Sequence, residues 1–363
     1  MKLSKTAGFG ALWCAITVGL ISMANAQSRT MVYVSNALDQ SITVAELDTA
    51  TGAIQTRQSV SVGGTVMPMA LSPDAKFLFA SRRSPPYAVA SFAIDPHHGR
   101  LTSAGSFALP ESMASIAVDR SGRLLLAASY GGNVLSVSRI TPAGEVQAPH
   151  QILPTPPQPH TLQTSLDNRF AFATSLGGHA LLQFRLDPAL QSLEKNSAVS
   201  VAVPDRSGPR HMAFHPEGKW VFVIGELDAK VHTFELDAEQ GGLRWVASQS
   251  SLPSSFTGVP SGADIHLTPD GRFLMTSDRG SNTLTSFKVE LSSGHLSVVG
   301  HWPSEDQPRG FNIDPSGHYL LEVGQRSGML AVHAIQENGQ LQKRGRWPMG
   351  AGPNWIEMVR LKD

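Results

Sequence analysis

One short phrase, returning every 46 to 53 residues, restricts this chain more than any other feature. It consists of a polar or turn residue, a Pro-Asp-Gly-like turn, a polar (mostly basic) residue and an apolar strand. Its copies begin at Ser72, Asp119, Ser165, His215, Thr268 and Asp314. A period of this length with several strands in each unit is the mark of a propeller blade. Around Ser72 the unit reads as four strands, over residues 67–71, 76–82, 88–94 and 101–109, separated by Gly or Asp-Pro turns.

Six units carry the phrase, and a seventh is divided between the chain ends. Residues 31–35, 41–47 and 54–60 supply three strands, and residues 354–359 supply a lone first strand. Joining them closes a ring and removes the free sheet edges. The expected fold is therefore all-β, a seven-bladed propeller of four-stranded antiparallel blades. An open solenoid is the structural rival, but its terminal units would not complete each other. The gap at Pro154–Pro159 is read as a loop inside a blade, so residues 27–363 form a single domain.

Residues 1–26 are set apart from that fold. Lys2 and Lys5 precede an apolar run over 7–21, and Ala24-Asn25-Ala26 has the small-x-small pattern of a cleaved export signal. The mature chain would begin at Gln27, with a periplasmic location. Cys14 is the single cysteine, so that mature chain would hold no disulfide and no thiol nucleophile. Lys+Arg and Asp+Glu both number 29, which gives no electrostatic footprint for nucleic acid and no basic run for a membrane surface.

The repeat also locates candidate functional residues. Five positions before each phrase lies the entry to a first strand: Met67, Ala114, His160, Arg210, Ala263 and Arg309. Eleven positions after it lies the exit of a second strand: Arg83, Tyr130, Leu176, Glu226, Arg279 and Gln325. First and second strands are antiparallel neighbours, so these two sets share one end of each blade. His160, Arg210, Glu226, Arg279, Arg309 and Gln325 are expected to ring one mouth of the central channel. His211, Asp264 and His266 are expected just inside it. The set suits the opening of a lactone by water. A carboxylate or imidazole takes the water's proton, and guanidiniums stabilise the charge that grows on the carbonyl oxygen. Glu226 and His160 are alternative proton-transfer groups. His211, Asp264, His266, Arg309 and Gln325 suit the hydroxyls or an anionic end of the substrate.

Blander readings apply elsewhere. His215 and His318 lie in the turn phrase and read as structural or exposed, and His97 and His98 read as surface. His232, His295, His301 and His333 have no ligand spacing. His211 and His215 are four apart but fall on a strand and turn, a weak basis for zinc. The Pro-Asp phrases are turn chemistry rather than calcium loops. Trp220, Trp302, Trp347 and Trp355 read as blade packing.

Several longer stretches carry a family likeness. They are Gly208-Pro209-Arg210-His211-Met212-Ala213-Phe214-His215-Pro216, Ala263-Asp264-Ile265-His266-Leu267-Thr268-Pro269-Asp270-Gly271-Arg272, and Asp278-Arg279. Beyond these come Gln307-Pro308-Arg309-Gly310-Phe311-Asn312-Ile313-Asp314, Gly324-Gln325 and Gly352-Pro353-Asn354-Trp355. With them the chain resembles the bacterial β-propeller 6-phosphogluconolactonases, which are similar in turn to the fungal carboxymuconate lactonizing enzymes. The resemblance implies seven blades, no cofactor, no obligatory metal and a lactone site at the channel mouth. His160, Arg210, Glu226 and Arg279 match the family's key positions. Where the family often has Asn before the Glu, Gly225 stands here. Export favours an unphosphorylated glucono- or galactonolactone as the small-molecule partner. The alternatives are hydrolysis of the phosphorylated lactone, a carboxymuconate-type cycloisomerisation, and a propeller that only binds a ligand or partner. The sequence assigns no oligomeric state.

Overall fold

The computed structural model describes Met1 and residues 29–361. Apart from Met1, the expected export signal over 1–26 lies outside the described residues, as does the start at Gln27. Seven four-stranded sheets account for all the named strands, and each sheet is antiparallel. Blade 1 is the split one. Its strand order is Pro353–Arg360, Thr30–Asn36, Ser41–Leu47, Ile54–Ser61, so the chain's last strand is its innermost. Tyr33 faces Glu357 across that seam. The inner strands of blades 2 to 7 are Val66–Leu71, Ser115–Val118, Pro159–Thr164, Pro209–Phe214, Gly262–Leu267 and Pro308–Ile313. Neighbouring inner strands touch all the way round, which closes the ring.

The repeated phrase has a physical cause. Its first side chain accepts the backbone N–H five residues later and so ties the turn between the first two strands. Ser72 Oγ accepts from Phe77 N at 2.9 Å, Asp119 Oδ1 from Leu124 N at 2.8 Å, and Ser165 Oγ from Phe170 N at 3.1 Å. Thr268 Oγ1 accepts from Phe273 N at 3.1 Å, and Asp314 Oδ1 from Tyr319 N at 2.7 Å. Short polar side chains compete well for such turn N–H groups. His215 departs from the pattern: its Nδ1 accepts from Glu217 N at 3.2 Å, and its Nε2 reaches the carbonyl of Gly271 in the next blade at 3.2 Å. Three residues into each phrase the backbone is left-handed, at Ala75, Gly122, Asn168, Gly218, Gly271 and Gly317. At Gly271 a Cβ would also fall 2.3 Å from His215 Nε2, so both backbone and space favour glycine.

Second strands such as Phe170–Ser175, Trp220–Gly225 and Phe273–Asp278 are buried at every residue, because both of their faces pack against neighbouring blades. Phe172 and Met212, for example, share one cluster with Val221 and Phe234 between blades 4 and 5. Outer strands such as Leu341–Pro348 bury only part of one face. One expectation is corrected. Gln151–Pro154 is the outer strand of blade 3 and Pro159–Thr164 the inner strand of blade 4, so Pro154–Pro159 joins two blades and is not a loop within one. Pro156 and Pro157 have no N–H to extend the ladder, so the outer strand stops there and the chain crosses inward.

The inner strands carry the feature that shapes the site. Their register slips near the entry, between Pro159 and Leu162, Pro209 and His211, Gly262 and Ile265, and Pro308 and Gly310. These bulges contain His160, Arg210, Ala263 with Asp264, and Arg309. A bulge breaks the two-residue alternation and re-aims a side chain.

Candidate active site

Of the residues expected at one channel mouth, His160, Arg210, Glu226, Arg279 and Arg309 come together. Arg210, from the bulge of blade 5, is only 1% exposed. Its Nε lies 3.0 Å from Glu226 Oε2, and its Nη1 donates to the Ala263 carbonyl. Glu226 follows the second strand of the same blade. Its backbone N–H donates to Gly208 O at 2.8 Å, and its carbonyl accepts from Gly262 N at 3.0 Å, which pins it between blades 5 and 6. Arg279, at the equivalent exit of blade 6, places Nη2 3.2 Å from the same Glu226 oxygen. Asp278 fixes that corner by accepting from Ser261 N at 2.8 Å and Ser281 N at 2.7 Å. Gly225 has a packing reason: a Cβ there would stand 2.2 Å from Asp228 Oδ1 and 2.9 Å from the Ser207 carbonyl.

Burial alone would push the Glu226 carboxyl up, but Arg210 and Arg279 outweigh it and hold the group below the usual carboxylate range. Burial, with Arg279 and Arg309 nearby, depresses Arg210 well below its ordinary value. Arg309 is brought down to about 10 by burial and by Arg279 and Arg83. Arg83 lies within that electrostatic group, although the sequence argument did not select it. Its Nε donates to Ser112 Oγ at 3.1 Å, and its Nη1 lies 3.3 Å from Met67 Sδ. Among the described residues no carboxylate pairs with Arg83 or Arg309. Of these four guanidiniums, Arg210 and Arg279 contact Glu226, while Glu226 and Asp264 both bear electrostatically on Arg210 and Arg309. Tyr130 also joins, its hydroxyl pushed up by burial and by Glu226. Arg83 and Tyr130 occupy the same exit position as Glu226, and that equivalence was the signal for both.

The histidines continue the site down the channel. His160 is 4% exposed, and its ring centroid lies 4.9 Å from that of His211. Its Nδ1 has no hydrogen-bond partner. Burial first, then Arg210, lowers it well below its usual value. His211 Nδ1 donates to Asp264 Oδ1 at 2.7 Å, and Arg210 Nη1 lies 3.4 Å from His211 Nε2. His211 is lowered to about 4, by burial first and then by Arg210, against the opposing pull of Asp264. Asp264 itself is held well below the carboxylate range: burial would raise it, but His266 and His211 dominate. Backbone N–H groups of Ile265 and Phe311 also donate to it, at 3.0 and 3.2 Å.

His266 lines a cavity that His211 and Asp264 also border. This cavity, of about 320 Å³, is lined as well by Phe311, Trp355 and Glu357, and none of Arg210, Glu226 or Arg279 borders it. His266 Nε2 lies 3.4 Å from Asp264 Oδ2. Burial lowers its pKa, but Asp264 raises it more, to a net value above the usual one. Glu357, which accepts from Trp355 Nε1 at 2.9 Å, is pushed up to about 7 by burial. Trp355 was expected only to pack a blade, yet its ring stands 5.6 Å from His211. Gln325 is half-buried at its blade exit, and its side chain makes no hydrogen bond among the described residues; its N–H donates to Gln307 O at 3.0 Å. His97 and His98 are exposed, whereas His215 and His333 are buried in packing roles. Among the described residues, no three His, Asp or Glu side chains are gathered as a metal site, and no helix is long and apolar enough to cross a membrane.

Comparison with known proteins points the same way. The family model described as "Lactonase, 7-bladed beta-propeller" matches residues 31–358. A 6-phosphogluconolactonase of Serratia proteamaculans is 39% identical over 333 residues, covering 91% of this chain and 99% of that protein. A 6-phosphogluconolactonase of Yersinia pseudotuberculosis is 39% identical over 328 residues, covering 90% and 97%. Among solved structures, the periplasmic gluconolactonase PpgL of Pseudomonas aeruginosa aligns with a TM-score of 0.85 at 25% identity, covering 92% of this chain and all of that one.

Proposed function

The chain belongs to the seven-bladed β-propeller lactonase family, and on that premise we propose that this lactone hydrolase opens a sugar lactone, an aldonolactone such as glucono- or galactonolactone, at the Arg210–Glu226–Arg279 mouth. One observation carries the reading: two guanidiniums converge on a single oxygen of Glu226, beside the imidazoles of His160 and His211. Water attack on a lactone carbonyl develops an oxyanion, and donors already fixed in a buried site stabilise it without reorganising. The imidazoles of His160 and His211 supply basic nitrogens beside these guanidiniums that are suited to take the water's proton. Arg309 and the histidines are suited to the sugar hydroxyls and the product carboxylate.

A second reading is the phosphorylated lactone. It is supported by Arg83 and Arg309, which lack a carboxylate partner and are suited to a phosphate, and by relatives named for that reaction. For location, the proposal is export: residues 1–26 have the form of a cleaved signal, and a periplasmic gluconolactonase shares the fold. The test is acid release in weak buffer by protein starting at Gln27. The substrates are glucono-δ-lactone, galactono-γ-lactone and 6-phosphogluconolactone, with Glu226→Gln and Arg210→Ala as controls. Opening of a neutral lactone that is lost in both variants supports the aldonolactone reading. Preference for the phosphorylated lactone selects the second. No acceleration of any lactone overturns both and leaves a binding propeller. N-terminal sequencing of protein recovered from the periplasm tests export.

A further inference from the structure

We propose that His211 is the general base that takes the proton of the attacking water, and that Asp264 is the positioning residue that holds it for that task; this rests on the lactonase reading above.

Three groups at the mouth are able to accept a proton. Glu226 is poorly suited, because Arg210 and Arg279 both hold the same carboxylate oxygen, at 3.0 and 3.2 Å. That oxygen is held between two cations, so the carboxylate serves to fix the guanidiniums. His160 is neutral, but its Nδ1 has no partner, so nothing fixes which nitrogen carries the hydrogen. His211 alone has an orienting carboxylate. With Nδ1–H donated to Asp264 at 2.7 Å, the neutral ring carries its lone pair on Nε2. The only donor recorded near that nitrogen is Arg210 Nη1, at 3.4 Å. A guanidinium can only donate, so in the resting site Arg210 reinforces the tautomer with the lone pair on Nε2.

Asp264 is built for such a role. It lies in the bulge of the neighbouring blade, 7% exposed, and its oxygens accept from two backbone N–H groups as well as from His211. Its ionised state and its orientation are thus set by the fold. Among the described residues it makes no hydrogen bond or ion pair with Arg210, Glu226 or Arg279, and its direct partner near the cluster is His211. An imidazole held by a buried carboxylate, with its other nitrogen left as the acceptor, is a general-base arrangement that recurs on unrelated folds.

The step balances. Nε2 takes a proton from water as the water oxygen bonds to the lactone carbonyl carbon, and the carbonyl π pair becomes an oxyanion held by guanidinium. When the tetrahedral species collapses, the ring C–O bond breaks and the Nε2 proton passes to the leaving ring oxygen. The product is the open hydroxy acid, which loses its carboxyl proton to solvent. The groups facing His211 are Arg210 on its own strand, Asp264 and His266 from blade 6, His160 from blade 4 and Trp355 from blade 1. Together with burial they keep the ring neutral through the physiological range, so the base form is present there.

The test uses the mature protein and the lactone it opens best. His211→Gly is expected to lower kcat on the order of 10²- to 10⁴-fold with KM changed only a few-fold, and added imidazole restores part of the rate. Asp264→Asn is expected to lower kcat at least tenfold with KM retained. ¹⁵N NMR of the histidine-labelled wild type, with His211 assigned by its loss in His211→Gln, reads the tautomer without any variant having to be active. Hydrogen on Nδ1 at pH 7 is expected, and hydrogen on Nε2 overturns the proposal. If the wild type opens lactones and His211→Gly stays within tenfold of it, the base assignment fails alone. If the wild type opens none, the lactonase reading fails and takes this inference with it.

Discussion

Glu226→Gln is the most informative single substitution, because it keeps the size of the side chain and removes the carboxylate charge in contact with both Arg210 and Arg279. Gln retains a carbonyl that still accepts one N–H, so the loss is chiefly electrostatic. Arg210 is 1% exposed and would be left with the Ala263 carbonyl as its main partner. Removing one member of a buried pair costs roughly 3–5 kcal/mol, since the other charge stays buried. The Glu226 side chain is 24% exposed, and solvent screens part of the interaction, which brings the expected loss to about 2–3 kcal/mol. For a chain of this length that corresponds to a fall in Tm of roughly 3–4 °C. The sign with pH follows from the depressed carboxyl. The Glu226 contribution is present above the unfolded value, about 4.3, and is lost as pH falls through the lower folded value. The gap between wild type and variant should therefore close in acid. Calorimetric melts at low salt supply the measurement, repeated with inorganic phosphate. The freed guanidiniums should bind phosphate more tightly in the variant, and a ligand at 100 times its Kd adds about 2.7 kcal/mol. Unchanged melting at neutral pH, with no greater phosphate stabilisation than in wild type, would refute the idea that Glu226 neutralises this cluster.

Three further outcomes are expected. Glu357, pushed up to about 7, favours its protonated form in the folded protein. Its contribution is fully present below its ordinary value and lost as pH rises through 7, so wild type should weaken against Glu357→Gln between pH 5 and 8 by at most about 3 kcal/mol; urea melts giving a pH-independent difference would contradict this. Gly225→Asn should destabilise by about 1–3 kcal/mol, because its Cβ meets Asp228 and the Ser207 carbonyl, and a melt as stable as wild type would show that the corner yields. Asn354 is 1% exposed and donates to Ser35 O, Val66 O and Gly352 O across the closing seam, at 3.2, 3.3 and 3.0 Å. Asn354→Ala should cost about 2–3 kcal/mol by leaving those carbonyls unmet, and a loss below 0.5 kcal/mol would show that the seam does not depend on it.

The sequence by itself determined the ring. The phrase that begins at Ser72, Asp119, Ser165, Thr268 and Asp314 repeats because each first side chain ties a turn five residues long, and such local chemistry is visible in a string of residues. The closure of residues 354–359 onto the N-terminal strands was legible for the same reason: two incomplete units complete one blade. Position within the repeat likewise brought His160, Arg210, Glu226, Arg279 and Arg309 to one mouth, since strand ends stack around a ring. Only the tertiary structure decided how those groups are used. Bulges at the inner-strand entries decide where Arg210 and Asp264 point, and the spacing of the blade repeat does not reveal them. The pairing of His211 with Asp264 spans two blades and 53 residues. It depends on how adjacent blades pack radially, which the repeat leaves free. The same packing places His266 in a cavity that His211 and Asp264 share and that Arg210, Glu226 and Arg279 do not border, and it sets Trp355 against His211. Periodicity fixes which end of a blade a residue occupies, whereas contact between blades fixes which partner it meets.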